Sequence, residues 1–296
     1  MKTILVVGSL NMDYTIYVNE FPKEGETLFG NNRFIQPGGK GANQAVAIAK
    51  SGLVNTVMIG AIGNDKDGEE VRNIVSSFGV DAKLIKKDVE TGNATIVVDK
   101  NSENKIIIIG GANTSLAIDD IDVSLIEKAD YIVLQNEINQ AVNDFVINKA
   151  YELKKTIIYN PAPYRIIDDD ILKKITYFIP NEIELEKYSN MNNVDDGISY
   201  LLNKGIKNVL VTLGTKGSLL KNKNESIKVD AFKVDAIDTV AAGDTFVGYF
   251  VSALASGKSE KEAMLLASKA SSITVSRKGS LVSIPTLKEI YEKYSD

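Results

Sequence analysis

Apolar positions along the chain fall into two alternating patterns. Short aliphatic and β-branched runs at Ile4–Gly8, Thr56–Ile59, Tyr131–Leu134, Thr156–Tyr159, Tyr177–Pro180 and Asn208–Leu213 are bounded by turn formers and predict buried strands. Between and after them, helical patterns cover Gly41–Ser51, Asp67–Phe78, Gln140–Leu153 and Val194–Asn203, then 243–256, 259–276 and 286–294. Strand and helix in alternation specify a parallel sheet covered by helices, an α/β architecture. Two stretches depart from that grammar. Tyr14–Val18, and Gly92–Asp99 with Lys105–Ile109, read as strands without crossover helices, and the polar turn between Val97 and Ile106 is a hairpin signal. They predict a small antiparallel β-sheet carried by the core, built from inserted segments at roughly 12–36 and 92–109 and placed as a lid beside a cleft. No linker or repeat divides the chain, so 1–296 is expected to form one domain.

Composition narrows the chemistry. At 296 residues, with 44% hydrophobic and 25% charged positions, the chain is an ordinary globular sequence, and disordered or fibrous classes are excluded. It contains neither His nor Cys. That removes His-based triads, thiol nucleophiles, disulfides, thiolate zinc sites and iron–sulfur clusters. Catalysis is left to carboxylates, Lys, hydroxyls and backbone, with hard oxygen-bound cations still available. A formal charge of -5 argues against nucleic acid and for small-molecule partners. Lys2 precedes an apolar run, Ile4 to Val7, that is too short for a signal segment, and no run approaches the ~20 residues of a membrane span. The expected setting is the cytoplasm, without a membrane partner.

Three polar segments carry candidate chemistry. Gly38-Gly39-Lys40-Gly41-Ala42-Asn43 fits neither the Walker pattern nor G-x-G-x-x-G, yet it offers unobstructed backbone N–H groups at a helix start. A tight turn with close helix packing would use the same residues. Asp238-Thr239-Val240-Ala241-Ala242-Gly243-Asp244 runs small residues into an amphipathic helix. Its free amides suit negative charge developing on a phosphoryl group, and Asp244 could accept a proton from an attacking hydroxyl; a capping carboxylate is the plainer reading. Asn11 and Asp13 follow the first strand, at the end where open α/β sheets bind ligands, although turn formation would also explain them. Gly63–Gly68 hints at a calcium loop, but Ile74 stands where the bidentate Glu belongs, so it reads as a turn with acidic residues near a helix start.

Taken in order, Gly8–Asp13, Gly38–Ala45, Gly111-Ala112-Asn113, Asn160–Pro163, Pro180-Asn181-Glu182, Thr212–Gly217, Asp238–Phe246 and Arg277-Lys278-Gly279 resemble the ribokinase (PfkB-type) family of sugar and nucleoside kinases across nearly the whole chain. The resemblance implies a three-layer, Rossmann-like α/β sandwich. It also implies transfer of phosphate from ATP, with Mg²⁺, to the terminal hydroxymethyl of D-ribose, giving ribose 5-phosphate, with activation by K⁺ and a homodimer formed through the lids; 2-deoxyribose, fructose or a nucleoside as acceptor, and a non-catalytic sugar sensor, are the alternatives. Carried over, Asn11, Asp13, Gly39, Lys40, Asn43 and Glu137 would hold sugar hydroxyls. Asp244 would be the catalytic base, beside an anion hole of the Ala241, Ala242 and Gly243 amides. Asn181, Thr212, Gly214, Thr215, Lys216, Gly217, Gly243 and Ser268 would meet ATP. Asp238, Val240, Thr274, Arg277, Gly279 and Ser283 would hold K⁺, several through carbonyls. The chain departs from the family pattern at Ser268, where His or Asn is common, at Gly279–Ser283, which lacks the usual Gln and Pro, and at Gln135-Asn136, where a Leu commonly precedes the Glu.

Overall fold

The computed structural model describes residues 1–101 and 103–295; Ser102, inside the predicted hairpin turn, and Asp296 lie outside the described residues. Strand β1 (Thr3–Val7) is buried on both faces, Ile4 and Val6 packing into one core and Leu5 and Val7 into the other. Such alternation is what a central strand of a two-sided sheet requires. After Gly8-Ser9-Leu10 the chain leaves the core as β2 (Asn11–Tyr17) and returns as β3 (Asn32–Gly38). Helix α1 (Lys40–Ser51) then ends at left-handed Gly52. Next come β4 (Asn55–Gly63), α2 (Lys66–Ser77), capped by the Asp65 carboxylate, and β5 (Asp81–Lys87). A second excursion gives β6 (Gly92–Val98) and β7 (Asn104–Ile109).

Strictly alternating units follow: α3 (Val123–Lys128), β8 (Tyr131–Leu134), α4 (Gln140–Glu152), β9 (Thr156–Tyr159), α5 (Asp169–Leu172) and β10 (Tyr177–Phe178). Beyond them lie α6 (Glu182–Ser189), α7 (Val194–Asn203), β11 (Asn208–Thr212) and the hairpin of β12 (Ser218–Lys221) and β13 (Ser226–Val229). Helices α8 (Ala242–Ala255), α9 (Glu260–Thr274) and α10 (Leu287–Lys293) complete the chain.

The large sheet has the order β13-β12-β11-β10-β9-β8-β1-β4-β5, parallel from β11 to β5 and antiparallel at the β12–β13 edge. Helices α1, α2, α8, α9 and α10 cover one face, and α3 to α7 the other, giving the expected three layers. Fully burying side chains such as Ile4, Leu5, Val6 and Val7 contributes about 1.5–3 kcal/mol each before chain entropy is counted. Gly248 sets the fit between two helices on the first face. A Cβ there would lie 2.5 Å from that of Ala47, so only glycine lets α8 come this close to α1.

The small sheet has the order β3-β2-β6-β7. Its outer pairings are antiparallel, as predicted, while β2 and β6, which join the two excursions, run parallel. Strand β3 is absent from the sequence reading because Pro37 and Gly38 interrupt its pattern, and β5 because its exposed lysines mask an edge strand. Among the described residues no helix is long and apolar enough to cross a membrane.

Candidate active site

Sheet neighbours of β1 are reached in opposite directions, β4 on one side and β8 on the other, and ligands of open α/β sheets bind where such a reversal opens a crevice at the strands' carboxyl ends. The residues expected to hold a sugar gather at that end. Glu137, just past β8, accepts hydrogen bonds through Oε2 from the Ser9 hydroxyl (2.6 Å) and the Lys40 N–H (2.9 Å), clamping the end of β1 to the start of α1. Asn11 accepts from Asn113 Nδ2 (2.8 Å), and Asn113 also exchanges hydrogen bonds with the Leu10 backbone at 2.9 and 3.0 Å. Asp13 stands one pleat further along β2, beside Gly38, where a Cβ would sit 2.0 Å from its Oδ2. Gly39, at φ 89°, passes within 3.0 Å of the Asn11 nitrogen by the same measure. Burial, and secondly the Glu137 carboxylate, push the Asp13 carboxyl up to about 7.

Asp244 lies in the first turn of α8 and is only 6% exposed. Its Oδ2 accepts from Asn43 Nδ2 and its Oδ1 from Gln44 Nε2, each at 2.9 Å, so consecutive residues near the start of α1 hold both carboxylate oxygens. Ala241 takes the left-handed conformation (φ 61°) immediately before the helix, and the Ser271 hydroxyl donates to the Ala242 carbonyl (2.9 Å), pinning the helix start to α9. A Cβ at Gly243 would meet nothing within 4 Å, in contrast to Gly248. Packing does not demand this glycine; its bareness leaves backbone open from outside. Lys40 is held above its ordinary value by Asp244, then by Glu137 and Glu184, which together outweigh burial.

The residues expected at the nucleotide form a second group at the ends of β10 and β11, where Asn181 and Thr212 pair as an isolated bridge. Asn181 caps α6, its Oδ1 accepting from the Glu184 N–H (2.7 Å) while Glu184 accepts from the Asn181 N–H (2.9 Å). Gly214, Thr215 and Lys216 form a single 3₁₀ turn, closed by Gly217 at φ 93°. The Lys216 ammonium meets Glu182 at 3.2 Å on the surface. Ser268 is buried on α9 and makes no hydrogen bond to that turn.

Of the six residues expected at a cation, Asp238 ties two loops together, accepting from the N–H groups of Val240 and Gly279, both at 3.0 Å. Thr274 is buried, and its carbonyl accepts from the Arg277 N–H (3.1 Å). Arg277 turns its guanidinium to Glu289 (2.7 Å), and the Ser283 hydroxyl donates to the Ser280 carbonyl (2.6 Å). Any cation contact from Arg277 is therefore a backbone one.

Five further residues join these hydrogen-bond networks: Gln44, Asn113, Gln135, Asn160 and Glu184. The capping spacing of Asn181 and Glu184 is visible in sequence as a helix start, but burial pushes Glu184 up, a property that the spacing does not carry. The three other amides and Asn113 meet only through the fold.

Comparison with known proteins agrees with this geometry. Residues 1–287 match the family described as pfkB family carbohydrate kinase. The chain is 39% identical over 300 residues to a ribokinase of Haemophilus influenzae, covering 98% of both chains. It is 35% identical over 302 residues to a deoxyribokinase of Salmonella typhi, covering 99% and 98%. Among solved structures it resembles ribokinase from Thermotoga maritima with TM-score 0.95 and 38% identity over the whole of both chains. Arabidopsis thaliana ribokinase, solved with ribose and ATP, superposes with TM-score 0.91 at 30% identity, covering 98% of each chain. With the family matched over nearly its full length, and carboxylates, amides and bare glycines converging at one sheet crevice, the chain belongs to the PfkB family of carbohydrate kinases, phosphotransferases acting on a sugar hydroxyl.

Proposed function

We propose that this chain phosphorylates D-ribose at its 5-hydroxyl, with MgATP as donor. One observation carries the reading most directly: two buried carbonyl-type oxygens, Asp13 Oδ1 and Asn43 Oδ1, have no hydrogen-bond partner within the protein. Unpaired buried acceptors cost about 1–3 kcal/mol each, and the hydroxyls of a sugar are the donors that would satisfy them. Asn43 also donates to Asp244, so a sugar bound against Asn43 would lie next to the carboxylate in the first turn of α8.

In this reading Asn11, Asp13, Gly39, Lys40, Asn43 and Glu137 orient the sugar, and Asp244 takes the 5-hydroxyl proton as the oxygen attacks the γ-phosphoryl. The amides at Ala241 and Gly243 would meet the charge that develops on the transferred group, and that of Ala242, which donates to the Thr239 carbonyl at 3.3 Å, would have to give up that bond to join them. ATP lies over Asn181, Thr212, the 214–217 turn and Ser268, and its Mg²⁺ neutralises phosphate charge. Asp238 with Val240, Thr274, Arg277, Gly279 and Ser283 would hold K⁺. The fit is one of donor chemistry, a single carboxylate among hydroxyls and carbonyls, which suits a hard monovalent ion that keeps the adjacent helix start in shape. The small sheet is the lid over 1–296, a single domain, and the enzyme works in the cytoplasm.

A homodimer through the lids completes the proposal. Paired residues of neighbouring strands share a face, so Asp13, Gln36, Ala94 and Ile108 form one row, and Thr15, Phe34, Ile96 and Ile106 the next. Phe34, Ile106 and Ile108 are exposed on that face, and Ile107, at 66%, on the other. Exposed apolar strands of this kind call for a partner. The 2-deoxy sugar is the second reading, favoured by the deoxyribokinase relative. ADP release from MgATP with D-ribose, 2-deoxyribose, fructose and adenosine, each with K⁺ or a large organic cation, tests both. Turnover that depends on ribose and rises with K⁺ is expected; preference for another acceptor overturns the ribose assignment, and silence on all four overturns the kinase reading for these substrates.

A further inference from the structure

Asp244 is the end of a chain of side-chain amides. Gln44 is fully buried on α1, and its Nε2 sits between two acceptors, Asp244 Oδ1 at 2.9 Å and Asn160 Oδ1 at 3.0 Å. Both hydrogens of that amide group are thereby used. Its Oε1 accepts from Nε2 of Gln135, at the carboxyl end of β8 and also fully buried, at 2.7 Å. Asn160 in turn donates from Nδ2 to the Ile179 carbonyl (2.8 Å), tying the ends of β9 and β10 to the same cluster. Gln135 Oε1 has no partner and lies against Gly8, where a Cβ would come within 2.2 Å of it. A glutamine can face a carboxylate with either end, and only the N–H₂ end is favourable. Asn160 Oδ1, fixed as an acceptor because Asn160 Nδ2 donates to the Ile179 carbonyl, and the Gln135 donor, met by the Gln44 carbonyl, together select the N–H₂ end for Asp244.

We propose that Gln44 is a positioning residue for the Asp244 carboxylate, and that Gln135 acts through Gln44 by fixing which end of its amide faces Asp244. This rests on Asp244 being the proton acceptor. Each carboxylate oxygen accepts one amide and keeps one lone pair, so the side chain is locked in rotation yet still able to take a proton. Removing an N–H donor from a buried carboxylate deprives its charged form of a partner. Charged groups facing Asp244 are Lys40 of α1 and Glu184 of α6, and both variants below leave them in place.

The test uses Gln44→Met and Gln135→Met, which keep side-chain length and remove the amide, together with the double variant and Asp244→Asn. Turnover is followed from pH 5 to 9 in the full-length enzyme, with thermal midpoints recorded alongside. Gln44→Met is expected to lower kcat about 10-fold with less than a threefold change in sugar KM, and to move the acid limb of kcat upward by about one pH unit. Gln135→Met should do the same more weakly, and adding it to Gln44→Met should cost nothing further in kcat, since it acts through Gln44. An unmoved acid limb in Gln44→Met, or kcat losses that simply multiply in the double variant, overturns the positioning role while Asp244→Asn remains inactive. Near-normal turnover of Asp244→Asn overturns the base assignment and this inference with it. Should Gln44→Met fail to fold, the acid limb of Gln135→Met alone decides: a shift supports the role and an unmoved limb overturns it.

Discussion

Asp13 trades stability for binding, and Asp13→Asn exposes the exchange. Burial and the neighbouring Glu137 carboxylate raise its carboxyl from 3.8 to about 7, and its Oδ1 has no internal donor. A carboxyl whose folded value is raised binds its proton more tightly in the native state. The native state is therefore favoured most below pH 3.8 and loses that contribution as pH climbs toward 7. At ~1.4 kcal/mol per unit, the gap caps the cost of ionised Asp13 above neutral pH at about 4 kcal/mol. Replacing the carboxylate by an amide removes the charge but keeps the buried polar group, so we expect Asp13→Asn to gain about 2 kcal/mol at pH 8 and nothing at pH 4. Urea melts at both pH values measure this. Sugar binding should behave oppositely. Hydroxyl donors favour the ionised form, so ribose binding at pH 7 should release a fraction of a proton, read by calorimetry in two buffers of different ionisation heat. Asp13→Asn should abolish the release and weaken ribose about 10- to 100-fold. Unchanged stability in Asp13→Asn at pH 8, with no proton released by the wild type, refutes the reasoning.

Other outcomes follow from the same geometry. Asp244→Asn should lower kcat by about 10²–10⁴ with little change in ribose affinity by calorimetry, and turnover near the wild-type rate would remove it from proton transfer. Gly217→Ala places a Cβ 2.0 Å from the Val229 carbonyl oxygen at φ 93°, so a loss of about 3 kcal/mol in a urea melt is expected and an unchanged midpoint would contradict it. Ile106→Glu puts a charge on the exposed lid face and should convert a dimer to a monomer in sedimentation velocity; an unaltered dimer would relocate the interface. Asp238→Asn can accept at only one of two backbone N–H groups and should raise the K⁺ needed for half-maximal turnover about 10-fold, whereas an unshifted K⁺ titration would move the ion elsewhere.

The core was legible because its pattern is strong. The runs Thr156–Tyr159 and Val194–Asn203 appear with the predicted bounds, since burial on both faces of a strand or one face of a helix dictates residue type position by position. The edges were not. Strands β3 and β5 carry exposed polar residues, and β12 and β13 are half-exposed strands with Ser and Lys among their few apolar positions, so no buried apolar run announces them. At the site, Asn11 and Asp13 stand out at the end of the first strand and Asp244 at a run of small residues entering a helix, whereas Asn43 is picked out only by the family resemblance. Gln44 could not, being an ordinary helix residue whose importance comes from β8 and β9 arriving beside it. The parallel pairing of β2 with β6 was likewise hidden, because a parallel pair in one sheet needs strands from separate excursions, and local turn signals describe only hairpins.

The shared face of the small sheet has an evolutionary consequence. Asp13 and the exposed Ile106 and Ile108 sit in adjoining rows of the same four strands, whereas the turn at 214–217 and the head of α8 belong to the large sheet and its helices. If that face holds the proposed sugar contacts and the proposed dimer seam, a substitution that reshapes one reshapes the other. On the proposed sugar site and lid dimer, acceptor choice and self-association would be inherited as one trait under selection, and the phosphate-handling half could stay fixed while that trait drifts.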